Sequence, residues 1–128
     1  MSSKVALIAD LGGTNARFQL LRVDDQSPFS HIVLHSATYP TASSKNFPEL
    51  VARFVAEAPE APDVCACAVC GPIIDGAAYC ASAVLAAPWQ FDEAQVSEAC
   101  GGCASVLLNG GWFKMNGFSL PPAACLQH

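Results

Sequence analysis

The residues best equipped for chemistry stand together near the N-terminus, in the run Asp10-Leu-Gly-Gly-Thr-Asn15, with Arg17 two residues on. Adjacent glycines tolerate positive φ and let the backbone come close to a ligand. Successive backbone N–H groups in such a turn can converge on an anion. Gly12 and Gly13 are therefore candidate phosphate-binding residues, and Thr14 and Asn15 add side-chain donors. Asp10 can hold a Mg²⁺ ion directly or through its waters. A bare Gly-Gly pair reads most simply as a plain hairpin turn. The flanking Asp, Thr, Asn and Arg shift the reading toward phosphate.

Cysteines form a second constellation. There are seven, including Cys67-Ala-Val-Cys70 and Cys100-Gly-Gly-Cys103. Two Cys-x-x-Cys pairs are the donor set of a zinc ribbon. The bland reading is a set of buried thiols, because free cysteine packs as a small apolar residue. Cys65 and Cys67 share one face of an apolar run, and Cys70 falls on the other unless the chain bends. Cys100 and Cys103 lie in a turn and form the more reactive pair. An odd count without a secretory signal suits free thiols in a reducing compartment. His31 and His35 alternate along a strand, so even spacing puts both on one face, where they read as solvent-exposed. Trp89 and Trp112 read as core or interface aromatics, Asp24-Asp25 as a solvated turn, and His128 as a chain end.

The elements that must position these residues follow from periodicity. Lys4 to Asp10 is a short apolar run stopped by glycines, a buried strand. Asn15 to Val23 starts with the alternation of a half-buried strand, and His31 to Tyr39 alternates again. Short turns between them imply antiparallel pairing. Ser44 to Pro48 opens a helix whose Leu50, Val51, Phe54 and Val55 make one apolar stripe. Pro59 and Pro62 end it. Val64 to Cys70 reads as a central buried strand. Gly71 to Gly76 is turn chemistry, and Ala77 to Leu85 a returning strand. A short helix runs from Asp92, its N-cap, to Glu98, and a last strand from Ala104 to Leu108. Strand–helix–strand units imply parallel pairing. The expected fold class is thus α/β, a mixed sheet with helices on its faces. The Gly-Gly turn lies between two strands. That excludes the dinucleotide fingerprint and the P-loop, both of which need a helix to follow.

Residues 7–18, Leu-Ile-Ala-Asp-Leu-Gly-Gly-Thr-Asn-Ala-Arg-Phe, resemble the first phosphate motif of the bacterial-type glucokinases, within the hexokinase/actin-like ATPase superfamily. Cys65 to Ile73 resembles the family's central strand and Gly-Pro turn. Pro88-Trp-Gln-Phe91 is similar to its tryptophan motif, and Ser105 to Asn109 to the strand leading to the sugar site. The resemblance implies a ribonuclease H-like (actin-like ATPase) fold, ATP and Mg²⁺ as cofactors, and phosphorylation of glucose or a related hexose to the 6-phosphate, as in glycolysis. It implies that Asp10, Gly12, Gly13, Thr14 and Asn15 contact the ATP phosphates and that Asn109 binds sugar. A homodimer is the assembly that the family often adopts.

The chain departs from that pattern in two places. The family has Asn-Asp-Phe after the last strand, with Asp as the base. Here Asn109-Gly-Gly-Trp-Phe113 stands, and no acidic residue follows Glu98, so no catalytic residue is assigned. Ala86 replaces an Asn expected before the tryptophan motif. Residues 1–109 are thus expected to form a phosphate-binding domain and residues 110–128 a divergent tail. A second domain is expected to be missing, with the truncated chain inactive alone. The alternative is a non-catalytic binding or structural module, zinc-bound through the two cysteine pairs.

Composition bounds these readings. The 128 residues suit one small domain. They are 52% hydrophobic and 13% charged, enough to bury a core. A net charge of −5 lacks the basic face that nucleic acid requires. No apolar run reaches the roughly 18 residues of a membrane span. Val5 to Ala9 is too short for a signal peptide. The expectation is a cytoplasmic protein without nucleic-acid or membrane partners.

Overall fold

A computed structural model describes residues 3–24 and 26–110. Three strands lead, β1 (Ser3–Leu11), β2 (Asn15–Asp24) and β3 (Ser27–Pro40). A single 3-10 turn (Thr41–Ser43) and helix α1 (Phe47–Glu57) follow. Then come β4 (Val64–Val69), β5 (Ile73–Ile74), β6 (Ala77–Cys80), β7 (Trp89–Asp92), α2 (Glu93–Ala99) and β8 (Ala104–Asn109). Five strands form a mixed sheet in the order β3-β2-β1-β4-β8, and β5-β6-β7 form a small antiparallel sheet. β1 pairs antiparallel with β2 and parallel with β4, and β4 pairs parallel with β8. The mixed α/β architecture is as expected.

Local chemistry explains the boundaries. Asn46 caps α1 by accepting the Glu49 N–H at 2.9 Å, and Pro48 stands in its first turn. Asp92 and Gln95 form a reciprocal capping box on α2. Asp75 and Gly76, at φ 52° and 77°, make the two-residue turn between β5 and β6. Positive φ at both positions is what a tight hairpin turn requires.

The core lies between one face of the large sheet, the two helices and the small sheet. Leu7, Phe18, Leu20, Cys65, Cys67 and Leu107 meet Phe47, Leu50, Val51 and Phe54 of α1, Val96 of α2, and Trp89 and Phe91 of β7. Helices on both faces were expected. Among the described residues both helices cover this one face, and a smaller cluster of Ile8, Ala68, Val106 and Leu108 lies on the other. The predicted strand from Ala77 to Leu85 ends at Cys80 instead. The tryptophan motif forms β7, because Trp89 and Phe91 alternate inward from β6's far edge. Trp89 is a core residue, 8% exposed.

β3 also corrects the histidine reading. A bulge lets Leu20 face His35 while Leu21 faces Val33, so Leu34 is extra. The extra residue reverses which side each neighbour takes. His35 lies on the helix side, half-buried, with its ring 5.2 Å from Phe54, and His31 is exposed on the opposite side. Asp24 caps the turn into β3 by accepting the Gln26 N–H. Asp25, Trp112, His128 and the tail after Gly110 lie outside the described residues.

Candidate functional site

β1, β4 and β8 run parallel and end together at Leu11, Val69 and Asn109. The carboxyl ends of parallel strands are where open α/β sheets bind ligands, because loops can diverge there and expose backbone donors. The turn Gly12-Gly13-Thr14 leaves β1 at this edge. Asp10 sits one residue before the end of β1, level with Ala68 of β4 and Leu108 of β8. Asn109 is one position farther along and two strands away. That places Cα of Asp10 and Cα of Asn109 roughly 10 Å apart, from a strand spacing of about 4.8 Å. The fold thus gathers the predicted residues 10–15 and Asn109 on one edge.

Asp10 carries the main electrostatic feature. Its Oδ1 is buried and has no hydrogen-bond partner among the described residues. A carboxylate oxygen out of water without a donor is costly. A hydrated cation would satisfy it, so the residue fits a Mg²⁺ site. Asp10, Arg17 and Thr38 are register partners across β1, β2 and β3. With Gln19 and Ser36 they line a groove of about 590 Å³ on the sheet side away from the helices.

The turn is built by close approach. Neither Gly12 nor Gly13 adopts positive φ, which corrects the expectation from the Gly-Gly pair. A Cβ on Gly12 would lie 2.9 Å from the Asn15 carbonyl oxygen, and one on Gly13 3.3 Å from Ser82 Oγ. The Gly12 N–H donates to that Asn15 oxygen at 2.9 Å. Among the described residues, the Gly13 and Thr14 N–H groups make no hydrogen bond. Thr14 and Asn15 are exposed.

Asn109 is exposed at the end of β8, and its Nδ2 donates to the Gly71 carbonyl at 3.4 Å. Gly71 is obligatory there, since a Cβ would come within 1.9 Å of the Tyr79 carbonyl oxygen. Gly110 occupies the place expected of the base. A Cβ there would lie 2.7 Å from the Val69 carbonyl oxygen, so this backbone has no room for a carboxylate side chain.

The cysteines do not assemble as the two pairs suggested. Cys100-Gly-Gly-Cys103 is a helix terminus. Gly101 and Gly102 have φ of 90° and 99°, and their N–H groups return to the carbonyls of Glu98 and Ser97. The spacing is therefore that of a C-cap. Cys65 and Cys67 point into the core with sulfurs 3.4 Å apart. Cys100 neighbours Cys65, whereas Cys70 neighbours Cys80. Among the described residues no three His, Cys, Asp or Glu are placed to hold a metal. The neighbouring Cys70 thiol first, and burial second, push the Cys80 thiol well above its ordinary range. Burial and the neighbouring Cys100 push Cys103 up to about 11.

Thr41 and Ser82, both bonded to the turn, were not identified from sequence. Thr41 follows a strand and Ser82 lay in a predicted one, and neither carries a local signal that it reaches the turn.

The family described as Glucokinase matches residues 7–121. No curated protein sequence matches the chain. Among solved structures, a glucokinase from an Antarctic psychrotroph is 26% identical with a TM-score of 0.67, over 83% of this chain and 32% of that one. An inorganic polyphosphate/ATP-glucomannokinase from Arthrobacter sp. strain KM is 22% identical with a TM-score of 0.56, over 83% and 44%. A glucokinase from Balamuthia mandrillaris, in complex with glucose, is 18% identical with a TM-score of 0.54, over 84% and 30%. The last two are likenesses of fold alone, and the chain spans less than half the length of each of the three. With a family match over residues 7–121, most of its length, the chain belongs to the glucokinase family.

Proposed function

We propose that this chain provides the phosphate-facing half of an ATP-dependent hexose kinase, with glucose as the sugar and the cytoplasm as the setting. The observation that carries the reading is the unpartnered, buried Oδ1 of Asp10 beside a turn with two uncommitted N–H groups. Phosphoryl transfer depends mainly on positioning and charge neutralisation. The N–H groups of Gly13 and Thr14 would cradle phosphate oxygens, and the Thr14 and Asn15 side chains would add donors from the exposed rim. Asp10 would hold Mg²⁺, which when bound offsets the negative charge of the phosphates. Asn109, at the end of β8, would orient a sugar hydroxyl. The strand order β3-β2-β1-β4-β8, antiparallel then parallel, supports the ribonuclease H-like (actin-like ATPase) assignment.

Gly110, the residue after Asn109, has no room for a carboxylate in its present conformation. Loss of a general base costs about 10²–10⁴ in rate. We therefore infer that the chain binds Mg-nucleotide and does not by itself turn over sugar. Thermal unfolding with MgATP tests the binding. At ten times Kd the native state gains about 1.4 kcal/mol, a readily measured rise in Tm. Asp10→Ala should remove most of that rise. An unchanged Tm in millimolar MgATP would reject the reading. Robust glucose 6-phosphate production in a coupled assay would reject the inference of inactivity.

A further inference from the structure

Two side chains from distant parts of the sequence grip the Gly12–Thr14 turn by its carbonyls. Thr41, in the 3-10 turn after β3, is 1% exposed and the one polar side chain among the described residues in the fully buried core. Its Oγ1 donates to the Gly12 carbonyl at 2.9 Å, and its N–H donates to the Thr14 carbonyl at 2.8 Å. Ser82, in the loop between β6 and β7, donates its Oγ–H to the Gly13 carbonyl at 2.7 Å. The same oxygen accepts the Val84 N–H at 3.3 Å, which orients the hydroxyl. Three successive carbonyls are thus held by the protein.

The consequence follows from peptide geometry. A trans peptide is planar, and its C=O and N–H point in opposite directions. No peptide among the described residues is cis. Fixing the Gly12 carbonyl on Thr41 therefore turns the Gly13 N–H away from Thr41. Fixing the Gly13 carbonyl on Ser82 turns the Thr14 N–H away from Ser82. These are the two N–H groups left without an acceptor. A buried hydroxyl needs some acceptor, but that need alone does not direct both hydroxyls to adjacent peptides of one turn.

We propose that Thr41 and Ser82 are positioning residues that pre-orient the Gly13 and Thr14 N–H groups toward a phosphate. The proposal rests on the reading of this turn as a phosphate site. Neither residue touches the ligand. Each lowers the reorganisation needed when an anion arrives.

The test is a titration of the ¹⁵N-labelled 128-residue chain with MgATP, following the Gly13 and Thr14 amide resonances, with Tm measured in parallel. Thr41→Val removes one hydroxyl at nearly constant shape, Ser82→Ala removes the other, and Thr41→Ser restores a hydroxyl. We expect Kd to rise about fivefold for each hydroxyl removed, the worth of one net hydrogen bond. Thr41→Ser should return close to the wild-type Kd. A purely structural role would lower Tm and leave the Kd of the folded protein unchanged. Unchanged Kd in both Thr41→Val and Ser82→Ala, with the wild type binding normally, overturns the positioning role alone. If the wild-type Gly13 and Thr14 amides do not respond to millimolar MgATP, the phosphate reading falls and the positioning role with it. Should Thr41→Val fail to fold, the half-buried Ser82 decides through Ser82→Ala.

Discussion

Tyr39 sits on the helix side of β3 with 5% of its surface exposed. Its hydroxyl donates to Glu57 near the end of α1, and the Arg53 guanidinium lies 4.2 Å from its ring centroid. Burial first, and the bond to the Glu57 carboxylate second, push its pKa from the ordinary 10 up to about 12. A folded-state pKa above the unfolded one favours the neutral phenol in the folded protein. The stability is therefore complete below about pH 10 and lost as pH rises through about 12. The urea midpoint of the wild type relative to Tyr39→Phe should be constant from pH 7 to 9.5 and decline above pH 10.5. A difference that stays flat to pH 12 would show that the Tyr39–Glu57 contact does not perturb the phenol. The Gly-Gly pair shows what residue type alone conveys. It marked the place where backbone must come close, but not why. The reason is the Asn15 carbonyl and Ser82 hydroxyl packed against it, and a contact 69 residues away has no local signature.

Helix α2 is short, and its two ends do much to define it. Asp92 accepts the Gln95 N–H at 2.8 Å, Gln95 returns the bond to the Asp92 N–H at 3.0 Å, and two glycines close the far end. The helix is also tied to β8. Its first residue, Glu93, accepts the Leu107 N–H of β8 at 3.0 Å, two residues before Asn109. Asp92→Ala should cost about 1 kcal/mol, the usual worth of an N-cap. Chemical denaturation should show it as a lower midpoint with an unchanged slope. Asp92 was readable as a cap because capping is a bond between residues three apart. The terminal glycines were open to misreading, since a C-cap with cysteines on either side has the same spacing as a metal knuckle. β7 was not readable as a strand at all. Its pairing partner β6 precedes it across a loop, and four residues carry too little periodicity to show pairing.

Across the molecule, an aromatic stack joins the leading strands to the layer above. The Phe18 ring lies 5.6 Å from Tyr39, 5.9 Å from Phe47 and 5.2 Å from Phe54, and Phe47 lies 5.0 Å from Phe91 of β7. β2 also forms one arm of the Gly12–Thr14 turn, so this packing anchors the arm against the helices. Phe18→Ala should cost about 3–5 kcal/mol, because the cavity would open among rings that cannot easily collapse. Urea unfolding measures it, and a loss below about 1 kcal/mol would mean that the stack is not the centre of the core. Together with the Arg22–Glu60 ion pair and the Val5 N–H bond to Asp63 at 2.9 Å, the stack ties β1 and β2 to residues beyond α1.

The sequence by itself determined the three leading strands, both helices, the buried β4, the place of the turn and the family. Each of these rests on short-range periodicity, on caps or on a contiguous motif. Only the tertiary structure decided the rest. It put both described helices on one face, sent His31 and His35 to opposite faces through one extra residue, and made Cys100-Gly-Gly-Cys103 a helix C-cap with Cys100 in the same core as Cys65 and Cys67. It also showed that the turn after Asp10 is held by Thr41 and Ser82. The physical reason is common to all four. Side-chain period and capping act within a few residues, whereas bulge register, layer coverage and hydrogen bonds between distant segments exist only once the chain has folded back on itself.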